Sequence, residues 1–193
     1  MICDRIMQHL PTLLALSCSS PFWEGRNTGL QSIRSKIMEG LPTAGLPTLM
    51  RNWSEYVWLV NHMVDTGFIN TIREIWWDVR PHHKFPTLEF RVCDVCTRVD
   101  EAVCIAAILQ AVVAKLWKLR RDNMTFRVYP ADLIEENKWR AVRYGLQGNL
   151  VDFGNERELP APALIGELLE WFIGDVVDEL GSRSEVEYAF RIM

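Results

Sequence analysis

Two short runs carry residue types suited to handling a metal–nucleotide pair: Trp77-Asp78-Val79-Arg80 and Leu88-Glu89-Phe90-Arg91-Val92. Side chains two apart on a strand point to the same face. Asp78 and Arg80 therefore share one face, as do Glu89 and Arg91, while Leu88, Phe90 and Val92 take the other. Paired with polar faces together, the two strands would present two carboxylates and two guanidiniums, backed by an apolar layer. Carboxylate oxygens suit Mg²⁺, and the arginine fork matches phosphate oxygens and offsets charge on a moving phosphoryl group. The same spacing also describes a solvated sheet face whose ion pairs contribute about 0–1 kcal/mol each. Spacing alone does not separate the two.

The elements that must position these residues are readable in outline. Ile75 to Arg80 and Thr87 to Val95 read as strands, and Pro81-His82-His83-Lys84-Phe85-Pro86 makes them hairpin neighbours. The first residues, through Ser17, read as the end of a helix whose apolar face finds few partners nearby. Two turn-rich loops follow, Ser20 to Gly29 and Glu39 to Pro47, with Arg34, Ser35 and Lys36 on a short ordered segment between them. Trp53, Tyr56, Val57, Val60 and Val64 share one helical face, and Gly67 suits its C-terminal cap. Thr97 with Asp100 resembles a capping box before a helix over 100–119 that is apolar nearly all round. A further helix spans about 132–144, a short strand 150–153, and an amphipathic helix 164–180 closed by Gly181. No internal repeat or linker breaks the chain, so a single α+β domain is expected.

Composition narrows the partners. The 193 residues hold 21 Lys+Arg against 25 Asp+Glu, a net charge of −4, which gives no overall positive field for nucleic acid or an acidic membrane. The apolar stretch Ala102 to Trp117 contains Gln110 and Lys115 and is shorter than the ~20 residues of a membrane span. Five cysteines without framework spacing read as reduced thiols in a cytoplasmic protein. Arg5, the run Leu13 to Leu16 and the small residues Ser17 to Ser20 imitate an export signal only faintly, since Asp4 and His9 interrupt it. Cys93-x-x-Cys96 lacks the second ligand pair of a zinc site, and His82-His83 reads as a solvated connection. Eight Trp, several beside charges, suit either core filling or the wall of a large site.

Three runs resemble the glutamate–cysteine ligase type 2 family of carboxylate–amine ligases. They are Ser19-Ser20-Pro21-Phe22-Trp23-Glu24-Gly25-Arg26-Asn27-Thr28-Gly29; Ile75 to Pro81 with Thr87-Leu88-Glu89-Phe90-Arg91-Val92-Cys93-Asp94; and Glu136-Asn137-Lys138-Trp139-Arg140-Ala141-Val142-Arg143-Tyr144-Gly145. The resemblance implies part of a glutamine-synthetase-like antiparallel sheet packed with helices, whose polar face holds metal ions, ATP and an amino acid. It implies ATP and Mg²⁺ as cofactors, glutamate and an amine such as cysteine as substrates, and a homo-oligomer. By position, Glu89 would bind Mg²⁺, Arg91 would steady the γ-phosphoryl group, and Arg80 would contact phosphate. Arg34 would take the amino-acid carboxylate, and Asn137 and Arg140 would line the site.

The family's Glu-Glu-Glu strand and its His-Val-His-Val segment do not occur in this sequence. The chain is therefore expected to be an internal piece of a larger catalytic domain, with apolar surface left open to self-association. A non-catalytic, subunit-binding homologue is the alternative.

Overall fold

The apolar run Leu13 to Leu16 lies at the centre of the core, not at its edge. In the computed structural model, which describes residues 2–193, every residue of Leu10–Ser17 is buried. The chain opens with helix α1 (Ile2–Ile6), a 3₁₀ turn (Met7–His9) and α2 (Leu10–Ser17), followed by a small hairpin of β1 (Phe22–Trp23) and β2 (Arg26–Asn27). Next come α3 (Ile33–Glu39), β3 (Ala44–Gly45) and α4 (Trp53–Asp65), then β4 (Trp76–Trp77), β5 (Val79–Pro81) and β6 (Leu88–Phe90). The long helix α5 (Val99–Arg121), α6 (Ala131–Tyr144), and the strands β7 (Asn149–Asp152) and β8 (Arg157–Pro160) complete the middle of the chain. Short helices α7 (Ala161–Glu167), α8 (Gly174–Val177), α9 (Arg183–Glu187) and α10 (Ala189–Ile192) end it.

The class is α+β: four two-stranded pairs rest on helices. Pairs β1–β2, β5–β6 and β7–β8 are antiparallel, and β3–β4 is parallel. The main core joins Ile6, Leu10, Leu13 and Leu14 to Ile108 and Val112 of α5, Ile134 and Ala141 of α6, and Ile165 beyond. The expectation that the first helix lacks partners therefore gives way to one in which α5, α6 and α7 surround it. A second cluster, Met50, Tyr56, Val60, Ile69, Ile75 and Trp77, packs under α4.

Local chemistry explains most boundaries. The Asn52 side chain caps α4 by accepting from Glu55 N–H at 3.0 Å, while the Glu55 carboxylate accepts from Arg51 N–H at 2.6 Å. The cap of α5 falls one residue later than Thr97–Asp100 suggests: Glu101 accepts from Arg98 N–H at 3.2 Å and from the Thr97 hydroxyl at 3.3 Å. By length and composition α5 could cross a membrane, but Cys104, Ile105, Ala107, Ile108, Ala111, Val112 and Leu116 are buried against the core. The expected helix 164–180 is broken. A π-helical turn, Leu168–Phe172, interrupts it, with Ile173 N–H donating to the Leu168 carbonyl at 3.1 Å, and Gly174 follows where helix propensity is weakest. Strand β8 was not expected from the sequence, because the polar run Asn155-Glu156-Arg157-Glu158 and Pro160 carry no alternating apolar pattern.

The tryptophans stand mostly outside the core. Trp77 is buried, whereas Trp23, Trp53, Trp58, Trp117, Trp139 and Trp171 are exposed.

Candidate functional site

The register of β5 and β6 decides how the acids and arginines meet. Val79 faces Phe90, Arg80 faces Glu89, and Pro81 faces Leu88. Arg91 N–H donates to the Asp78 carbonyl at 2.8 Å, which extends the ladder by one pair. Asp78, Arg80, Glu89 and Arg91 consequently occupy one face of the hairpin, with Val79 on the core side.

On that face Glu89 lies between two guanidiniums. One oxygen accepts from Arg91 Nη1 at 2.7 Å; the other accepts from Arg80 Nε at 3.0 Å and lies 2.9 Å from Arg80 Nη2. Partial burial pushes the Glu89 pKa up, but the hydrogen bonds from Arg91 and Arg80 outweigh it and hold the carboxyl below its usual range. Arg80 is buried and fully engaged. Its Nη1 also donates to the carbonyls of Ile72, Arg73 and Ile75, tying the 3₁₀ turn Ile72–Glu74 to the hairpin. Arg91 is more open, and its Nε is buried without a hydrogen-bond partner.

Beside this group runs a second charged network that the sequence did not suggest. Lys138 on α6 is buried, with Nζ 2.5 Å from Asp78 and 3.0 Å from Glu39 at the end of α3. Burial lowers the Lys138 pKa, but Asp78 and Glu39 raise it by more, so the ammonium stays charged. Lys36 reaches Glu39 from the exposed side at 2.6 Å. One signal could have found Lys138: it lies on the stripe Ile134, Asn137, Lys138, Ala141 that buries α6. A lysine there must have a carboxylate partner inside.

Segment 17–35 is clamped to the strand exit by Asp94. Its carboxylate accepts from Ser20 Oγ at 2.7 Å, Ser32 Oγ at 2.7 Å and Ser19 N–H at 3.0 Å. Arg34 completes the clamp by donating to the carbonyls of Arg91 at 2.6 Å and Val92 at 3.0 Å. The structure thus brings Glu89, Arg80, Arg91 and Arg34 together, with the Arg34 fork spent on backbone. It does not bring Asn137 or Arg140 to them. The buried Asn137 amide is matched to both backbone groups of Val151 at 2.8 Å, and Arg140 pairs with Glu136 and Glu158 on a different surface.

Among the described residues no group of three or more His, Cys, Asp or Glu side chains could hold a metal ion. Cys93 and Cys96 add nothing to such a site: the Cys93 thiol is pushed up to about 12 by burial and points to the Leu13 carbonyl at 3.9 Å.

Comparison with known proteins places this geometry in context. A protein of Solibacter usitatus, provisionally named glutamate–cysteine ligase 2, is 53% identical over 184 residues, which are 95% of this chain and 48% of the relative. Similarly named proteins of Herpetosiphon aurantiacus and Sorangium cellulosum are 50% and 48% identical over 95% and 100% of the chain. The chain spans about half the length of these relatives. The profile of glutamate–cysteine ligase family 2 matches residues 1–174, and the chain belongs to that family.

Proposed function

We propose that this chain forms part of the catalytic domain of an ATP-dependent carboxylate–amine ligase of the glutamate–cysteine ligase type. In this reading a γ-carboxylate oxygen of glutamate attacks the γ-phosphorus of ATP and ADP departs. The amine of a second substrate such as cysteine then attacks the acyl carbon, phosphate leaves, and the amine loses a proton as the amide forms. The observation that carries the reading is the polar face of the β5–β6 hairpin, where Glu89 holds two arginines in fixed orientation. Of these, Arg91 alone keeps an unpaired buried N–H, at Nε. A donor set already oriented before an anion arrives is what stabilisation of transferring charge requires.

The roles divide accordingly. Arg91 would donate to the phosphoryl group. Glu89 orients Arg91 and could lend a carboxylate oxygen to a cation, while Arg80 and Arg34 hold the hairpin and its exit strand. Mg²⁺ asks for near-octahedral oxygen coordination. Glu89, with both oxygens turned to arginines, does not meet that alone, so the described residues do not fit a complete Mg²⁺ site and no step is assigned to the ion. Asn137 and Arg140 enter as scaffold for β7 and α6. The reading includes a homo-oligomer, and the free cysteines fit a cytoplasmic location.

The test is a chimera in which this chain replaces the matched segment of the Solibacter usitatus relative. ADP release that depends on both glutamate and cysteine is expected. A folded chimera that releases no ADP, beside an active parent, would overturn the reading.

A further inference from the structure

Asn137, next to Lys138 on α6, lines a cavity of about 420 Å³ that the hairpin chemistry does not use. Its walls are rings. His9 stacks on Phe126 and Phe172 with centroids 5.8 and 5.0 Å away, and Tyr129 and Phe153 lie 5.2 Å apart. Trp171 stands at the cavity, 83% exposed, on the π-helical turn. Such turns mark sites where a helix is deformed to present side chains, and they recur at functional positions.

Most charged and amide side chains around the cavity have partners there. Asp152 and Glu167 both hold Arg157, at 3.1 and 2.7 Å. Arg127 donates to the Gly154 carbonyl at 3.0 Å, and Asn137 is matched to Val151. His9 Nε2, by contrast, is buried with no hydrogen-bond partner. Burial pushes the imidazole pKa down to about 4, so the ring is neutral at pH 7. A buried polar atom without a partner is costly, and a bound molecule that reached it would recover part of that cost.

The geometry points to a second binding site here, one that takes a neutral, planar heteroaromatic ring stacked among the aromatic walls with a polar edge on His9 Nε2. Stacking supplies the affinity and has geometric preference, and the unpaired nitrogen supplies orientation. Asp152 and Glu167 are held by Arg157 and Arg127 donates to the Gly154 carbonyl, so the broad ring faces rather than a free acid offer the binding surface. The volume suits one or two fused rings. This inference does not rest on the ligase reading.

The test uses the ¹⁵N-labelled 193-residue chain at pH 7.5, titrated with indole and with adenine and followed by amide and indole N–H chemical shifts. Cyclohexylmethanol serves as the saturated control. Saturable shifts at Gly154, Phe153 and the Trp171 indole are expected for the two aromatic probes, with Kd about millimolar as fits fragments of this size. His9→Phe should weaken binding about 3- to 10-fold through the lost hydrogen bond. Trp171→Ala, at an exposed position where folding is not at stake, should weaken it about 2- to 10-fold. Three results would overturn the inference: no saturable shift, equal affinity for cyclohexylmethanol, or binding unchanged in both variants.

Discussion

The two faces of α6 solve the problem of buried polarity in opposite ways. Toward the hairpin, Lys138 is buried charged and fixed by Asp78 and Glu39, and Asp78 lies on the same hairpin face as Glu89. Toward the aromatic cavity, Asn137 is buried neutral and fully matched, and the nearby His9 stays neutral because nothing charged compensates it. The contrast separates fixed charge, which suits the handling of phosphate, from neutral aromatic walls, which suit an uncharged ring. One helix turn supplies both, because residues 137 and 138 point about 100° apart around the axis.

The largest effect should come from breaking the charged side. Lys138→Met leaves the Asp78 carboxylate buried without its ammonium, and removing one partner of a buried pair commonly costs about 3–5 kcal/mol. Urea denaturation would read this, and adding Asp78→Asn to Lys138→Met should restore part of the loss, with a coupling of about 1–3 kcal/mol. A single-variant loss under about 1 kcal/mol would show the network to be solvated, as surface pairs are.

Next in size is Arg91→Lys in the chimera with the Solibacter usitatus relative. A point ammonium cannot replace the fork that meets Glu89 and leaves Nε for a ligand. ADP release should fall about 10²–10³-fold, as when one preorganised donor is lost. Glu89→Gln should be comparably severe, since it removes the carboxylate that orients Arg91. Either variant within about twofold of the parent would reduce this face to an ordinary surface ion pair.

The neutral side should be broken by acid. His9 titrates near 6.5 when unfolded and near 4 when folded. The unfolded chain therefore binds more protons between these values, and stability is full above about 6.5 and declines as pH falls toward 4. A gap of about 2.5 pH units, at about 1.4 kcal/mol each, amounts to about 3.5 kcal/mol at most. Carboxylates held low by hydrogen bonds despite partial burial, Glu89 by Arg91 and Arg80 and Asp152 by Asn155 and Arg157, also weaken the fold in acid. The measurement is therefore the difference between the parent and His9→Phe, whose loss of stability over this range should be the shallower. Parallel curves would mean that His9 is hydrated in the fold.

The two faces were not equally legible in the sequence. Alternation in Trp77-Asp78-Val79-Arg80 and Leu88-Glu89-Phe90-Arg91 suffices to place four charges on one face, because a strand has a period of two and a hairpin fixes the register. Lys138 and Glu39 escaped notice because their meeting depends on how α3 and α6 pack, which no local pattern encodes. The cavity was still less visible: His9, Phe126, Tyr129, Phe153 and Phe172 come from four separated stretches, and the π-helical turn that presents Trp171 has no propensity signature. The central position of α2 was misjudged for a similar reason. An apolar run declares that it must be covered, but it does not say which distant helices will cover it.

The smallest expected effect distinguishes a site wall from a solvated helix surface. Arg140 is the fourth arginine that family resemblance brings toward the active site, yet its Nε meets Glu136 one helical turn earlier at 2.8 Å and its Nη1 meets Glu158 on β8 at 3.0 Å. Both carboxylates are more than half exposed. Water and salt screen such pairs, and ordering the long side chains offsets much of the attraction. Arg140→Gln should therefore change stability by no more than about 0.5–1 kcal/mol, and the difference should shrink further in about 1 M salt, where the screening length falls to about 3 Å. In the chimera its ADP release should stay within about twofold of the parent, in contrast to Arg91→Lys. A loss of about tenfold or more, at unchanged stability, would put Arg140 in contact with the reacting groups. It would also mean that in the chimera the surface formed by α6 and β8 closes onto the hairpin, so that the two networks work as one site.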